Sequence, residues 1–232
     1  MANYFSLTLD TTGPSNPSIR LNSNAQYATS DLVTATISTG DSNTAGYQMK
    51  LWGDIDLAWA KTNGIVGSTA TAVNESSALW ISYTTAKQIK LSANDGSKTV
   101  NLQIRDDVYN VSALVSDAIN LDTTRPIVTI TGPDVSKISK QDGKDVAAFS
   151  FTVDSAFTEY KVKVTTSGAD HSTGTQIGTA NGSTNMAATG SFAKSVVINS
   201  TINGADLEAA SAGDGTKVIK VFVKDEAGNW SI

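Results

Sequence analysis

The stretch Asp95-Gly96-Ser97-Lys98-Thr99-Val100-Asn101-Leu102-Gln103-Ile104-Arg105-Asp106 returns 119 residues later as Asp214-Gly215-Thr216-Lys217-Val218-Ile219-Lys220-Val221-Phe222-Val223-Lys224-Asp225. The match runs on without a gap to Asn110 and Ser112 against Asn229 and Ser231. In the first copy Val100, Leu102 and Ile104 alternate with Asn101, Gln103 and Arg105; in the second, Ile219, Val221 and Val223 alternate with Lys220, Phe222 and Lys224. Period two belongs to a half-buried β-strand, whose successive side chains point to opposite faces. The Asp-Gly pair in front of each stretch is a turn signal that bounds it.

Working outward, a second phrase also recurs. Leu9-Asp10-Thr11-Thr12-Gly13-Pro14 returns as Leu121-Asp122-Thr123-Thr124-Arg125-Pro126, an offset of 112, and all four prolines (Pro14, Pro17, Pro126, Pro133) follow these phrases. The chain therefore holds two copies of one unit. The change of offset from 112 to 119 calls for a small insertion in copy two, and the Ser/Thr/Gly/Asn-rich run from Thr165 to Ser191 is its expected place. Ile127–Ile130, Phe149–Val153, Tyr160–Val164 and Ser195–Ile198 read as further strands. Helical patterning is confined to Ala58–Lys61 and Gly204–Ala210, about a turn each. About seven short strands per ~100 residues is the pattern of an immunoglobulin-like sandwich. The expected fold is all-β: two tandem Ig-like antiparallel β-sandwiches, with residues 1–12 an N-terminal strand or linker, 13–121 the first domain and 122–232 the second.

Composition narrows the function. The 232 residues carry 17 Lys plus Arg against 22 Asp plus Glu, a net charge of −5, which argues against nucleic-acid or anionic-membrane partners, since both need a basic face. The absence of cysteine removes disulfides, thiolate metal sites and Cys nucleophiles, and a lone histidine removes multi-His zinc sites. The N-terminus has no basic-then-apolar signal-peptide pattern, and no apolar run approaches the ~20 residues of a membrane span.

The succession Asp-Gly-(Ser/Thr)-Lys, alternating strand, Asp-Asp-Val-Tyr-Asn-Val-Ser or Asp-Glu-Ala-Gly-Asn-Trp-Ser, then Leu-Asp-Thr-Thr-x-Pro resembles bacterial-type Ig-like repeats, which occur in bacteriophage virion proteins and in bacterial adhesins. The resemblance covers both copies. By itself it leaves virion protein and adhesin open; the absence of a signal-peptide pattern, of a membrane-spanning run and of cysteine tilts the expectation to a non-enzymatic structural virion protein: a head decoration, a tail or baseplate part, or a fibre. Its partners would be itself and other virion proteins, and it would be made in the host cytoplasm. The rival expectation is a cell-surface or carbohydrate-binding adhesive module that contacts a host glycan.

The copies begin and end at different places. Copy one runs on through Ala113–Leu121, an alternating stretch expected to be its last strand; copy two reaches Asn229-Trp230-Ser231-Ile232, where that strand would start. At the other end, Tyr4-Phe5-Ser6-Leu7-Thr8-Leu9 aligns with the last strand of copy one, Leu7 with Ile119 and Leu9 with Leu121. One expectation is that residues 3–10, through Tyr4, Phe5, Leu7 and Leu9, complete copy two of a neighbouring subunit, because an edge without its strand is a template for another chain. The other is that they pair within copy one.

Other candidates are sparse. Asp106, Asp107, Asn110 and Asp122 supply hard oxygens at a repeat end, as calcium requires, and some of the adhesin repeats that this chain resembles bind calcium there. The same residues equally suit side chains that bond to their own turn backbone. Trp52 alternates away from the core set Tyr47, Met49 and Leu51, yet core is the expected place of most tryptophans in a sandwich; Trp59, amid Asp54, Asp56 and Lys61 in an expected loop, is the candidate surface-contact residue. His171 and its neighbours Asp170 and Ser172 share one loop, which cannot converge as a catalytic triad. Asp54 and Asp56 read as turn carboxylates rather than a glycosidase pair. No catalytic residue and no cofactor other than candidate calcium are expected.

Overall fold

The computed structural model describes residues 4–232 and resolves the chain into two compact units, Met1–Thr123 and Thr124–Ile232. In unit 1 the elements run β1 (Ser18–Leu21), β2 (Tyr27–Ala28), β3 (Leu32–Ser38), β4 (Gln48–Gly53), α1 (Leu57–Thr62), β5 (Ile81–Ser82), β6 (Ala86–Lys90), β7 (Gly96–Arg105) and β8 (Val115–Leu121). They form a three-stranded sheet β1-β3-β6 and a five-stranded sheet β2-β8-β7-β4-β5, antiparallel throughout except for the β2–β8 pair. The alternation read from sequence sets which side chains meet between the sheets. Val33, Ala35 and Ile37 of β3, Met49 and Leu51 of β4, and Val100, Leu102 and Ile104 of β7 are all buried in one cluster.

Unit 2 follows with β9 (Val128–Thr131), β10 (Val146–Val153), β11 (Phe157–Thr165), β12 (Thr175–Gln176), β13 (Ala187–Phe192), β14 (Ile198–Asn203), α2 (Gly204–Ala210) and β15 (Val218–Asp225). One sheet is β14-β10-β9; in the other, β11 pairs with β15 over its whole length and with β12 and β13 on its second edge. Phe151, Phe157, Tyr160, Val162, Val221 and Val223 fill the core between them. Each unit is thus an Ig-like β-sandwich.

The repeat is structural down to single hydrogen bonds. Ser112 Oγ accepts the N–H of Ile104 at 3.0 Å, and Ser231 Oγ accepts that of Val223 at 2.9 Å. Lys98 Nζ reaches the carbonyl of Ala93 at 2.9 Å, and Lys217 Nζ that of Ala212 at 3.1 Å. In the opposite sheet Asn22 and Thr34 exchange N–H bonds just as Asp134 and Ala148 do.

Two expectations are corrected. Thr34 matches Ala148 and Ile89 matches Ile202 at offsets of 114 and 113, so Thr165–Ser191 is not the insertion. The added residues lie between β14 and β15, where α2 has no counterpart between β6 and β7. Ser195–Val197 are not strand: Ser195 has φ 61°, a left-handed conformation rare for a non-glycine residue, in a turn that Val196 N–H closes onto Ala193 O, and β14 starts at Ile198. Trp52 is buried at 8% exposure, because the connection after α1 contributes Ile65, Val66, Val73 and Ala78 to the same cluster and covers the second face of β4.

Candidate functional site

The two sandwiches differ most at one edge. In unit 1, β7 lies between β4 and β8, with Gly96 opposite Leu121, Lys98 opposite Ile119 and Val100 opposite Asp117. In unit 2, β15 takes the place of β7, yet among the described residues no strand pairs with its second edge. The consequence is visible in the core. Ile19, opposite Ile37, is 5% exposed, whereas Ile130, in the matching place opposite Phe151, is 46% exposed. Val100 is fully buried, while its counterpart Ile219 is only partly so.

The described part of the expected assembly strand forms no strand with either unit. Tyr4, Phe5, Leu7 and Leu9 are 91%, 87%, 86% and 86% exposed, so pairing within copy one is not what the structure has; Asn3 lies outside the described residues. The segment becomes anchored at Asp10, whose carbonyl accepts from Asn110 Nδ2 at 3.3 Å and whose carboxylate accepts the N–H of Thr12 at 3.0 Å.

The candidate calcium ligands are arranged as a turn. Asp106 is buried; its Oδ1 accepts the N–H of Val108 (3.0 Å) and of Asn110 (2.8 Å), and its Oδ2 accepts Asn110 Nδ2 (2.9 Å). Asp225 repeats this with the N–H groups of Gly228 and Asn229, each at 2.8 Å. Asp107 is exposed and Asp122 is half-buried. Among the described residues no three His, Cys, Asp or Glu side chains come together as metal ligands.

Trp59 is not in a loop. It lies in α1, partly buried against the core cluster, because Asp56 accepts its N–H at 2.7 Å and starts the helix there. Asp54 accepts the N–H of Thr99 at 2.8 Å, so both carboxylates of the Asp54–Asp56 pair hold backbone. The aromatic surfaces lie elsewhere. On unit 1, Arg105 sits over the rings of Trp80 (4.6 Å) and Tyr109 (4.2 Å), with Lys50 between Trp52 and Trp80 at 5.6 and 5.7 Å. On unit 2, His171 stacks on Trp230 at 4.4 Å and 3°, and Lys161 and Lys224, both paired with Glu159, flank the same indole. Those two lysines hold the Glu159 carboxyl below its ordinary range. The only sequence signal for these ridges was a cation two positions from an aromatic, Lys50 before Trp52, on one strand face.

Unit 2 also carries an open groove of about 330 Å³ lined by Ile138, Lys140, Leu207, Glu208 and Lys217 and crossed by the Lys140–Glu208 ion pair at 2.8 Å.

Neither family models nor curated proteins match the chain. Solved structures do align with it. The fibronectin(III)-like modules of Clostridium thermocellum CbhA match at 11% identity and a TM-score of 0.43, over 93% of this chain and 90% of that one. Chitinase ChiA74 from Bacillus thuringiensis matches at 13% and 0.29, and Escherichia coli alpha-2-macroglobulin activated by porcine elastase at 12% and 0.30. The alignments cover 93% and 99% of this chain but 30% and 22% of those two larger ones.

Proposed function

We propose that this chain is a non-enzymatic structural protein of a bacteriophage virion, serving as a head decoration, a tail or baseplate component or a fibre, with itself and other virion proteins as partners. The observation that carries this reading is a mismatch within one chain: among the described residues no strand pairs with the second edge of β15, and Tyr4–Leu9, an exposed apolar stretch, pairs with no strand. Exposed edges and apolar patches are features that monomeric proteins suppress, and they suit a protein that is buried in an assembly. Neither nucleic acid nor membrane is among the proposed partners, given the net charge of −5. No cofactor is needed for such a role. The site of action would be the virion, reached from the host cytoplasm.

The test is light scattering after size exclusion, paired with electron microscopy of the concentrated protein. Concentration-dependent growth into rings or fibres is expected, and antibody to the chain should label virions of its source. A protein that stays monomeric and labels no particle would overturn the reading.

The adhesive alternative has one observation in its favour, the Trp80–Arg105–Tyr109 ridge, whose Tyr109 is 64% exposed. Aromatic faces of this kind stack on sugar rings. Saturable quenching of tryptophan fluorescence by host-surface glycans would favour it.

A further inference from the structure

We infer that residues 4–9 of one copy add to the open edge of β15 in a second copy, in the register that β8 keeps on β7, and that Thr11 then locks onto Asp214. This rests on the structural-protein reading above and names its partner, a second copy of this chain. Transferring the β7–β8 register through the two repeat offsets puts Leu9 opposite Gly215, Leu7 opposite Lys217, Phe5 opposite Ile219 and Tyr4 opposite Lys220.

Three complementarities support that register. The first is apolar. On β8 the side chains at Ile119 and Leu121 are buried; the donor places Leu7 and Leu9 there, with Phe5 one step further along the same face. Those three are the side chains that would cover the half-exposed Ile130 and Ile219. Ser6 and Thr8 fall on the outer face, where β8 has Ala118 and Asn120.

The second is a latch. Asp95 Oδ1 accepts both the backbone N–H and the hydroxyl of Thr123, each at 2.9 Å. The counterpart of Asp95 is Asp214, exposed at the turn before β15, and the counterpart of Thr123 is Thr11, two residues past the donor segment. The same bond across copies joins Thr11 to Asp214.

The third is a paired substitution. On β8, Asp117 accepts the N–H of Leu21 at 2.6 Å. Between the strand ladder and the matched exchange at Asn22 and Asp134, unit 1 has Leu21 where unit 2 has Gly132 and Pro133; Pro133 stands directly before Asp134 as Leu21 does before Asn22, and proline has no N–H to satisfy. At the position of Asp117 the donor carries Phe5, which has no acceptor to offer. Both partners of the unit 1 bond thus lack a polar group at the corresponding places, and the pairing of Phe5 with this edge is apolar.

Because the chain has no cysteine, the register can be read by cross-linking. Ser6 and Val218 fall directly opposite, as Ala118 and Thr99 do in unit 1, and directly opposed side chains on neighbouring strands sit close enough for a disulfide. Under oxidation the full-length Ser6→Cys/Val218→Cys variant should give a ladder of disulfide-linked oligomers on a non-reducing gel. Ser6→Cys/Ile219→Cys, whose second position faces the opposite side, should give none. Deleting residues 1–10 should abolish association of the otherwise native chain, and Asp214→Ala should weaken it roughly tenfold or more, the scale of hydrogen bonds to a charged group.

A ladder from the shifted pair, an intrachain bridge in a monomer, or no ladder from the aligned pair overturns the inference. If oligomers or fibres persist after the deletion, strand donation is wrong while the virion role stands. If the full-length protein is monomeric at every concentration, self-donation is wrong and a docked decoration is left.

Discussion

Asp206 Oδ2 accepts the backbone N–H of Ser183 at 3.0 Å across 23 residues of chain, while its Oδ1 accepts both the N–H and the side-chain amide of Asn181 at 2.9 and 2.8 Å. The carboxylate is buried, and one helix side chain thereby holds the loop between β12 and β13. Burial pushes its pKa up, but the Ser183 and Asn181 donors outweigh it and the net direction is down. Asp206→Ala strands several donors at once, and each buried unsatisfied group costs about 1–3 kcal/mol. The expected loss is about 3 kcal/mol from unit 2, seen as a fall in the thermal midpoint of roughly 10 °C or more. Because the folded pKa is depressed, this contribution is complete above the unfolded value near 3.8 and is lost as pH falls through the folded one. Thermal melts of the wild type between pH 5 and pH 2 should show that loss, and Asp206→Ala should show a flatter profile.

Tyr47 carries the opposite dependence. Burial first, then the bond from its hydroxyl to Asp41 at 3.0 Å, pushes the phenol up to about 12. A raised folded pKa means that the contribution is complete below pH 10, the unfolded value, and is lost as pH rises toward 12. Tyr47→Phe should cost on the order of 1 kcal/mol at neutral pH. It should also remove part of the alkaline destabilisation, and ultraviolet titration of phenolate absorbance should lose its latest-titrating tyrosine.

The fold was legible because its decisive information is local and repeated. An Asp-Gly turn, three alternating apolar residues and an Asp ending the strand recur at 95–106 and 214–225, and each copy became a central or edge strand of a sandwich. Both short helices were legible as well, since capping and small-residue runs are short-range signals. What failed were inferences that depend on tertiary cover. Alternation alone puts Trp52 on the outer face of β4, although residue type favours the core, and the cover comes from the 63–80 connection, which has no periodicity. The surface-contact reading of Trp59 sets aside the helical pattern at Ala58–Lys61 and takes the residue as loop; in the helix that Asp56 caps, Trp59 packs partly against the core. The aromatic ridges join Arg105 to Trp80 and His171 to Trp230, pairs far apart in sequence with no motif to announce them.

The Asp106 turn yields a prediction about metal. Its carboxylate oxygens accept the N–H groups of Val108 and Asn110 and the side-chain amide of Asn110, all within its own turn, and calcium would have to compete with them. Millimolar calcium should leave the melting temperature unchanged, and chelator should do the same. Asp106→Ala should lower the stability of unit 1 by about 2 kcal/mol, because the N–H groups of Val108 and Asn110 lose their acceptor. A calcium-dependent rise of several degrees would instead restore the ligand reading for Asp106, Asp107, Asn110 and Asp122.

Gly204 sets two effects against each other. It opens α2 directly after the Asn203 cap, whose side chain accepts the N–H of Ala205 at 2.8 Å. By helix propensity alone, Gly204→Ala would stabilise by up to about 1 kcal/mol. A Cβ built there, however, lies 1.9 Å from the backbone carbonyl oxygen of Ser139, and a backbone atom cannot swing aside as a long side chain can. The N–H of Gly204 also donates to Asp145 O at 2.7 Å, and the Asn203 side chain donates to the Asp145 carboxylate at 2.9 Å, so α2 cannot tilt away without breaking both. Overpacking of this kind costs typically about 1–3 kcal/mol and here exceeds the propensity gain. Denaturant melts of Gly204→Ala should therefore show net destabilisation of unit 2. Gly143→Ala, where a Cβ meets open space, separates steric from backbone cost: its φ of 75° gives strain without a clash, and its loss should be the smaller of the two.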